Sequence, residues 1–327
     1  MQTVLSDKTN MAGHVATTRA QSNKLKDYLQ LVKPSLSIMV VFSSVVSYLL
    51  APKVEYNWWM IFLLFCGGML VTGSANAINQ VVEKDTDALM KRTAQRPIAS
   101  GRMSETEGWA FAIICGSVGA FILGYFFNPQ AAGLALFSLF LYAFVYTPLK
   151  KVNAIAVLVG AVPGAFPCLI GWVAGADEFS LGGWVLFAIQ FLWQFPHFWA
   201  IAWVAHTDYT NAGFKLLPSE KGPTKFTALQ TIIYSLSLIP VCALPFFIKM
   251  SGLTSLLIVT LTNIFLLVQC IRLYNENSVK AARRVMFSSY IHLPIVLLAL
   301  LGDKVFPSPP TGGGLGSFLN LVPSLFF

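Results

Sequence analysis

Charge is what this sequence has least of. Asp, Glu, Lys and Arg make up only 11% of its 327 residues, against about 25% in a soluble domain. Acidic residues number just 14 and histidines 4, at His14, His197, His206 and His292. So little charge cannot cover a water-exposed globular surface, which excludes a soluble fold. Cysteine is also thin. Cys66, Cys115, Cys168, Cys242 and Cys270 stand singly inside apolar runs with no CxxC pair. No disulfide framework is implied, and small buried residues are the natural reading. A cleavable leader is not expected either: the first apolar run begins near Ser35, and no small-residue cleavage site follows it.

What fills the chain is apolar: 56% hydrophobic residues and a mean hydropathy of +0.66. Runs long enough to cross about 30 Å of hydrocarbon fall at 35–52, 58–79, 108–127, 130–147, 153–175, 180–205, 227–248, 252–271 and 286–302. The fold class expected is all-α, a polytopic membrane protein with nine transmembrane helices and a polar cap on its cytoplasmic side. "LKDYLQLVKP" (25–34) reads as a short interfacial helix, and Pro34 as the first residue of the next element. Residues 1–24 and 303–327 read as tails around a single domain at 25–302. The latter carries the Pro/Gly-rich "PSPPTGGGLG" (307–316).

With nine spans, Lys53, Lys249 and Lys304 fall on one side of the membrane, and the other nineteen of the 22 Lys and Arg on the opposite side. That bias puts the N-terminus in the cytoplasm of a bacterial inner membrane, or in the matrix of a mitochondrial one. The net charge of +8 then reports topology and contact with anionic membrane lipids, and implies no nucleic acid. Two long polar loops, after the second and sixth spans, lie on the positive side. Their matching places hint at a duplicated four-helix unit.

The first of these loops opens with "NQVVEKDTDALMKRTAQRP" (79–97). Asn79, Glu83 and Asp87 are spaced by four, which lines them along one helical stripe and sends Asp85 elsewhere. One amide and two carboxylates offer hard oxygens of the kind Mg2+ takes. Arg92 and Arg96 follow, again four apart, with Lys91 beside them, and arginine forks match phosphate oxygens. The set suits a metal-bound diphosphate. Spacing alone also allows a solvated, salt-bridged loop. At the end of the fourth span, Tyr142, Tyr146 and Lys150 are spaced i, i+4, i+8. Their aromatic faces could stabilise an allylic cation and the ammonium a departing diphosphate. Membrane-boundary anchoring is the alternative.

The ordered pattern N-x3-E-x3-D-x2-M-x-RT-x2-RP-x3-G, from Asn79 to Gly101, resembles the first signature of the membrane-embedded UbiA-type prenyltransferases. Most of that superfamily has Asp where Glu83 stands. Glu83, Gln80, Met90 and "WQFPHF" (193–198) with "DY-x2-AG" after it are similar to the branch that farnesylates protohaem IX, the haem O synthases. "YTPLKK" (146–151) fits it too, and the likeness spans roughly 25–302.

The resemblance implies nine helices and transfer of farnesyl from farnesyl diphosphate to a vinyl group of protohaem IX, with Mg2+ as cofactor. It assigns Asn79, Glu83, Asp87 and Asp208 to metal, Arg92, Arg96, Lys91 and Lys150 to diphosphate, and Tyr142, Tyr146 and Lys150 to catalysis. The second loop departs from the superfamily in offering only Asp208 where a carboxylate-rich motif is expected. A haem-handling neighbour is implied, with haem A synthase as the candidate partner. A prenyltransferase acting on a quinone precursor, or a transporter, are the competing functions.

His197 is a separate matter of geometry. On a helix running to about 207, it and Asp208 are 11 residues apart, within about 20° on one face and about 16 Å along the axis. Pro196 frees the Leu192 carbonyl. Imidazole is a common haem-iron ligand, so His197 is expected to touch haem with Gln194 as a polar neighbour. A histidine bonded to a neighbouring helix for packing is the other reading.

Overall fold

The computed structural model describes residues 23–52 and 54–305. The tail up to residue 22, with His14, then Lys53, and the Pro/Gly-rich stretch from 306 onward lie outside the described residues. The helices are, in order, α1 (Lys24–Val32), α2 (Pro34–Leu50), α3 (Trp58–Val82), α4 (Lys84–Ala88), α5 (Glu105–Phe126), α6 (Pro129–Phe140), a π-helical turn (Leu141–Tyr146), α7 (Thr147–Leu149), α8 (Ala156–Ala176), α9 (Leu181–Val204), α10 (His206–Asn211), α11 (Lys225–Phe247), α12 (Leu253–Glu276) and α13 (Val279–Gly302). Among the described residues there is no strand, only an isolated bridge between Ser251 and Lys304.

Among the described residues eight stretches are long and apolar enough to cross a membrane: α3, α5, α6 continued to Leu149, α8, α9, α11, α12 and α13. α1 and α2, bent by 43° at their junction, make a ninth when taken as one broken span. The chain is therefore an integral, multi-pass, all-α membrane protein. The interfacial helix ahead of Pro34 exists as α1, and Pro34 does open α2. Several helices start earlier than their apolar runs. α13 begins at Val279 because Ser278 caps it, accepting from the Ala281 N–H, and its first turns carry Lys280, Arg283 and Arg284. Ser104 does the same for α5. Hydropathy misses such turns because they are polar.

Small residues set the closest crossings. Ser37, Ser43, Ser44 and Ser47 of α2 are all buried, and a Cβ on Gly171 of α8 would sit 1.8 Å from the Ser44 carbonyl oxygen. The two backbones touch, which is how membrane helices gain packing when lipid is as apolar as Leu. α8 also carries Pro163 and Pro167. Pro167 cannot donate to the Pro163 carbonyl, and Ser138 Oγ donates to that oxygen instead, at 3.0 Å.

Two features shape the polar end. α1 stops at Val32 and leaves carbonyls without intrahelical donors. Gln80 Nε2 of α3 donates to the Gln30 and Leu31 carbonyls, 3.1 Å each, and Asn76 Nδ2 to the Val32 carbonyl, also 3.1 Å. Arg102 ties the same helix to the loop after α4 through Asp27, 2.9 Å, and Gln30 Oε1, 2.8 Å. At the junction, Lys33 adopts a left-handed φ of 51°. The second feature is the π turn. Pro148 has no N–H and its ring would clash with the Phe144 carbonyl, so the helix widens there. The Thr147 N–H bonds the Tyr142 carbonyl instead, and Thr147 Oγ1 donates to it too, at 2.8 Å. Single π turns recur at functional sites.

Candidate active site at the polar end

α3 ends at Val82, and Glu83 breaks it with φ −98° and ψ 13°. The four-residue register survives the break: the Glu83 N–H bonds the Asn79 carbonyl at 3.0 Å, and the Asp87 N–H the Glu83 carbonyl at 2.7 Å. Asn79, Glu83 and Asp87 thus share one stripe, all buried, while Asp85 is exposed. Burial is deeper than an open polar cap would give, Asp87 being 0% exposed.

Each carboxylate has its own cation. Arg96 Nη1 donates to both Asp87 oxygens, at 2.7 and 2.6 Å. Lys150 Nζ lies 2.5 Å from Glu83 Oε1, an ion pair without hydrogen-bond alignment, since that oxygen has no donor aimed at it. Glu83 Oε2 accepts from Asn79 Nδ2 at 2.7 Å. Burial pushes the Asp87 carboxyl above its ordinary range, with Arg96 pulling it back down. Burial likewise pushes the Lys150 ammonium below its ordinary range, with Glu83 opposing.

The arginines do not form a second helical stripe. Residues 89–103 are turns, so Arg92 and Arg96 diverge. Arg96 points inward to Asp87. Arg92 is exposed and reaches Tyr209, with Nη2 3.4 Å from the hydroxyl and Cζ 5.9 Å from the ring centre. Lys91 is exposed, with no ionic partner among the described residues.

Tyr142 and Tyr146 flank the π turn with ring centres 5.4 Å apart, and Lys150 Nζ stands 5.0 Å from the Tyr146 ring centre and 5.2 Å from that of Phe214. The Tyr146 ring lies on Gly160 of α8, where a Cβ would meet it at 2.6 Å. The Lys150 carbonyl accepts from the Lys215 N–H at 2.8 Å, which draws the loop after α10 over the site.

The second half repeats the first. α9 ends at Val204, and Ala205 breaks it with φ −97° and ψ 19°, almost the geometry of Glu83. The Ala205 N–H bonds Ile201 and the Tyr209 N–H bonds Ala205, in the same register. Ile201, Ala205 and Tyr209 therefore occupy the places of Asn79, Glu83 and Asp87. Asp208 falls one residue off that stripe, half-buried and, among the described residues, without a side-chain hydrogen bond or ion pair. Tyr209 takes the position that spacing alone could not assign. The expected helix to about 207 is corrected to α9 plus α10, so the 16 Å separation of His197 and Asp208 no longer follows from rise along one axis.

His197 Nδ1 is 2.8 Å from Ser289 Oγ of α13. The Ser289 hydroxyl hydrogen is already given to the Met286 carbonyl, at 2.7 Å. His197 Nδ1 must then be the donor, which leaves Nε2 with the lone pair a ligand would use. The ring stacks on Trp193 at 4.5 Å and meets Tyr290 edge-on at 5.1 Å. Gln194 is not its neighbour: Nε2 donates to the Ala161 and Gln190 carbonyls, at 3.0 and 3.2 Å, on the α8 side.

One residue escaped the sequence reading. Lys33, half-buried at the bend between α1 and α2, lies in the field of Arg96, Asp87, Lys150 and Glu83. Only its place before Pro34 hinted at a helix break.

A helical membrane bundle with buried carboxylates, cations and aromatic faces gathered at one end defines an intramembrane transferase class built for an anionic, apolar-tailed substrate. The chain belongs to the UbiA prenyltransferase family, whose model matches residues 40–291. It is 44% identical over 285 residues to the protoheme IX farnesyltransferase of Cytophaga hutchinsonii, covering 87% of this chain and 100% of the relative. To the protein of the same name from Flavobacterium psychrophilum it is 42% identical, covering 85% and 94%. In fold it is similar to the solved structure of a digeranylgeranylglyceryl phosphate synthase, with TM-score 0.72, 22% identity and 86% and 99% coverage. A UbiA homolog from Archaeoglobus fulgidus, solved bound to GPP and Mg2+, matches with TM-score 0.61, 14% identity and 84% and 99% coverage.

Proposed function

We propose that this chain transfers farnesyl from farnesyl diphosphate to a vinyl group of protohaem IX. The C–O bond to diphosphate breaks, the allylic carbon bonds the vinyl terminus, and water adds to the resulting cation with loss of a proton. The product carries a hydroxyethylfarnesyl side chain. The name shared by relatives at 44% and 42% identity supports the acceptor and donor. The observation that carries the chemistry is the pairing of Glu83 with Lys150 and Asp87 with Arg96.

The residues fit Mg2+. Asn79 spends Nδ2 on Glu83 and Thr147, at 2.7 and 3.4 Å, which leaves Oδ1, a hard oxygen, beside two carboxylates. Asn79, Glu83 and Asp87 would hold the ion, which supplies charge neutralisation at the diphosphate leaving group. Asp208 joins them from the second half in this reading. Arg96, Arg92, Lys91 and Lys150 bind diphosphate oxygens, and the Lys33 amine lies beside them. Tyr142 and Tyr146 present π faces to the allylic cation. The buried site keeps bulk water from that cation until the acceptor has reacted.

His197 meets the haem through Nε2, while Gln194 holds α9 to α8 through the Ala161 carbonyl. Residues 25–302 act as one transmembrane domain with its N-terminus on the cytoplasmic or matrix side, as the Lys and Arg bias supports. Anionic lipids contact that face, and a haem A synthase receives the product. Purified protein given farnesyl diphosphate, haem and Mg2+ should yield haem heavier by one farnesyl and one water in mass spectrometry. A prenylated quinone precursor with unmodified haem would refute the acceptor.

A further inference from the structure

The two buried carboxylates of the polar end are already neutralised by the two cations that the proposed reaction needs for diphosphate. Arg96 Nη1 donates to both Asp87 oxygens, at 2.7 and 2.6 Å, and Lys150 sits 2.5 Å from Glu83. All four side chains are enclosed: relative exposures are 17% and 0% for the first pair, 8% and 6% for the second. Leaving either member of such a pair alone is costly, because a buried charge would lose its compensation. Resting on the reading above, we propose that the polar end is a charge-exchange lock. Lys150 and Arg96 leave their carboxylates for diphosphate oxygens only when a divalent cation takes the carboxylates over.

The consequence is a coupling between the two ligands that resides in this chain. Diphosphate arriving alone would draw Lys150 and Arg96 away and strand Glu83 and Asp87. A divalent cation arriving alone would strand Lys150 and Arg96. Together they satisfy all four groups. Lys150 Nζ lies 2.5 Å from Glu83 Oε1 as a buried ion pair, and the exchange moves its ammonium to a diphosphate oxygen. Tyr146 and Phe214 flank its ammonium at 5.0 and 5.2 Å and offer π faces along which it can shift while keeping a favourable electrostatic environment.

A lock makes an unusual prediction, in which removing a site residue improves binding of one ligand. Glu83→Gln frees Lys150, so pyrophosphate in EDTA should bind the full-length protein in detergent about tenfold more tightly than wild type. That lies inside the 5- to 150-fold range of ordinary site coupling. Lys150→Gln frees Glu83, so Mn2+ without pyrophosphate, followed by electron paramagnetic resonance, should bind about tenfold more tightly. Pyrophosphate binding is read by calorimetry, and thermal unfolding checks that each variant is folded. If either variant fails to fold, Asp87→Asn replaces Glu83→Gln and Arg96→Gln replaces Lys150→Gln, with the same signs expected. Metal-free pyrophosphate and lone Mn2+ binding no tighter in folded variants than in wild type would overturn the lock. Wild type that binds neither ligand even when both are present would instead overturn the prenyl-transfer reading on which the lock rests.

Discussion

Replacing Gly160 by Ala tests the aromatic part of the site without substituting any residue assigned to the substrate. Gly160 lies on α8, and a Cβ there would approach the Tyr146 ring carbons Cδ2 and Cε2 to 2.6 Å and Cγ to 3.1 Å. Real Cβ contacts under 3.0 Å essentially do not occur, so the ring must swing away. The π turn limits where it can go, because the Tyr142 carbonyl is fixed by two donors from Thr147. Swinging outward takes the ring from Lys150, now 5.0 Å from its centre, and from wherever an allylic cation would sit over it.

Overpacking of this kind costs about 1–3 kcal/mol of stability, which a thermal melt in detergent reads as a lowered midpoint with cooperative unfolding. Loss of a cation–π contact worth about 0.5–2 kcal/mol translates to roughly a 2- to 30-fold fall in turnover. Tyr146→Phe keeps the ring face and should stay within a few-fold of wild type, whereas Tyr146→Leu should fall as far as Gly160→Ala. The readout is haem product formed per minute at saturating donor. Should Gly160→Ala turn over at the wild-type rate while its melting midpoint drops, Tyr146 is a packing residue and its catalytic assignment fails.

Glu83→Ala and Asp87→Ala should each lower turnover by at least about 10²-fold, as loss of a preorganised charged group does; equal activity with and without Mg2+ would remove the metal role. Arg96→Ala should also destabilise the protein by about 3–5 kcal/mol, because Asp87 is left buried without its cation, and Arg96→Lys should restore only part of both properties since a flexible, strongly hydrated ammonium replaces a rigid planar guanidinium. Arg92→Ala, on an exposed side chain, should weaken farnesyl diphosphate without lowering the melting point; a loss of haem affinity instead would reassign it. His197→Ala should shift the Soret band of haem-loaded protein and weaken haem while diphosphate binding persists. Ser289→Ala should do the same more weakly by releasing the tautomer, and unchanged spectra in both would leave His197 as a packing residue.

The spans were legible because hydrocarbon thickness acts on a local property, the run of apolar side chains, and each run could be read without knowing its neighbours. The stripe of Asn79, Glu83 and Asp87 was legible for a related reason: the hydrogen bonds that carry its register pass through the break at Glu83. What stayed hidden depends on pairs distant in sequence. Lys33 enters the site because the bend between α1 and α2 is held by Asn76 and Gln80 from α3, and nothing near Lys33 states that. Gln80 was visible only as a letter of a family pattern, although its work is to occupy the open carbonyls at the end of α1.

The second half makes the same point from the other direction. Reading for carboxylates drew attention to Asp208, since a metal site needs oxygen donors. The backbone repeats the geometry of Glu83 at Ala205, and that repetition places Tyr209 where Asp87 stands in the first half. A duplicated scaffold with unlike side chains at its two matched positions keeps its carboxylate pair, with the cations that neutralise it, on the α3–α4 side. On the α9–α10 side Arg92 meets the ring and hydroxyl of Tyr209, so a guanidinium and an aromatic ring stand where a second acidic stripe was expected. The asymmetry that looked like a missing motif in the sequence is, in three dimensions, an aromatic residue at the matched position of a repeated backbone.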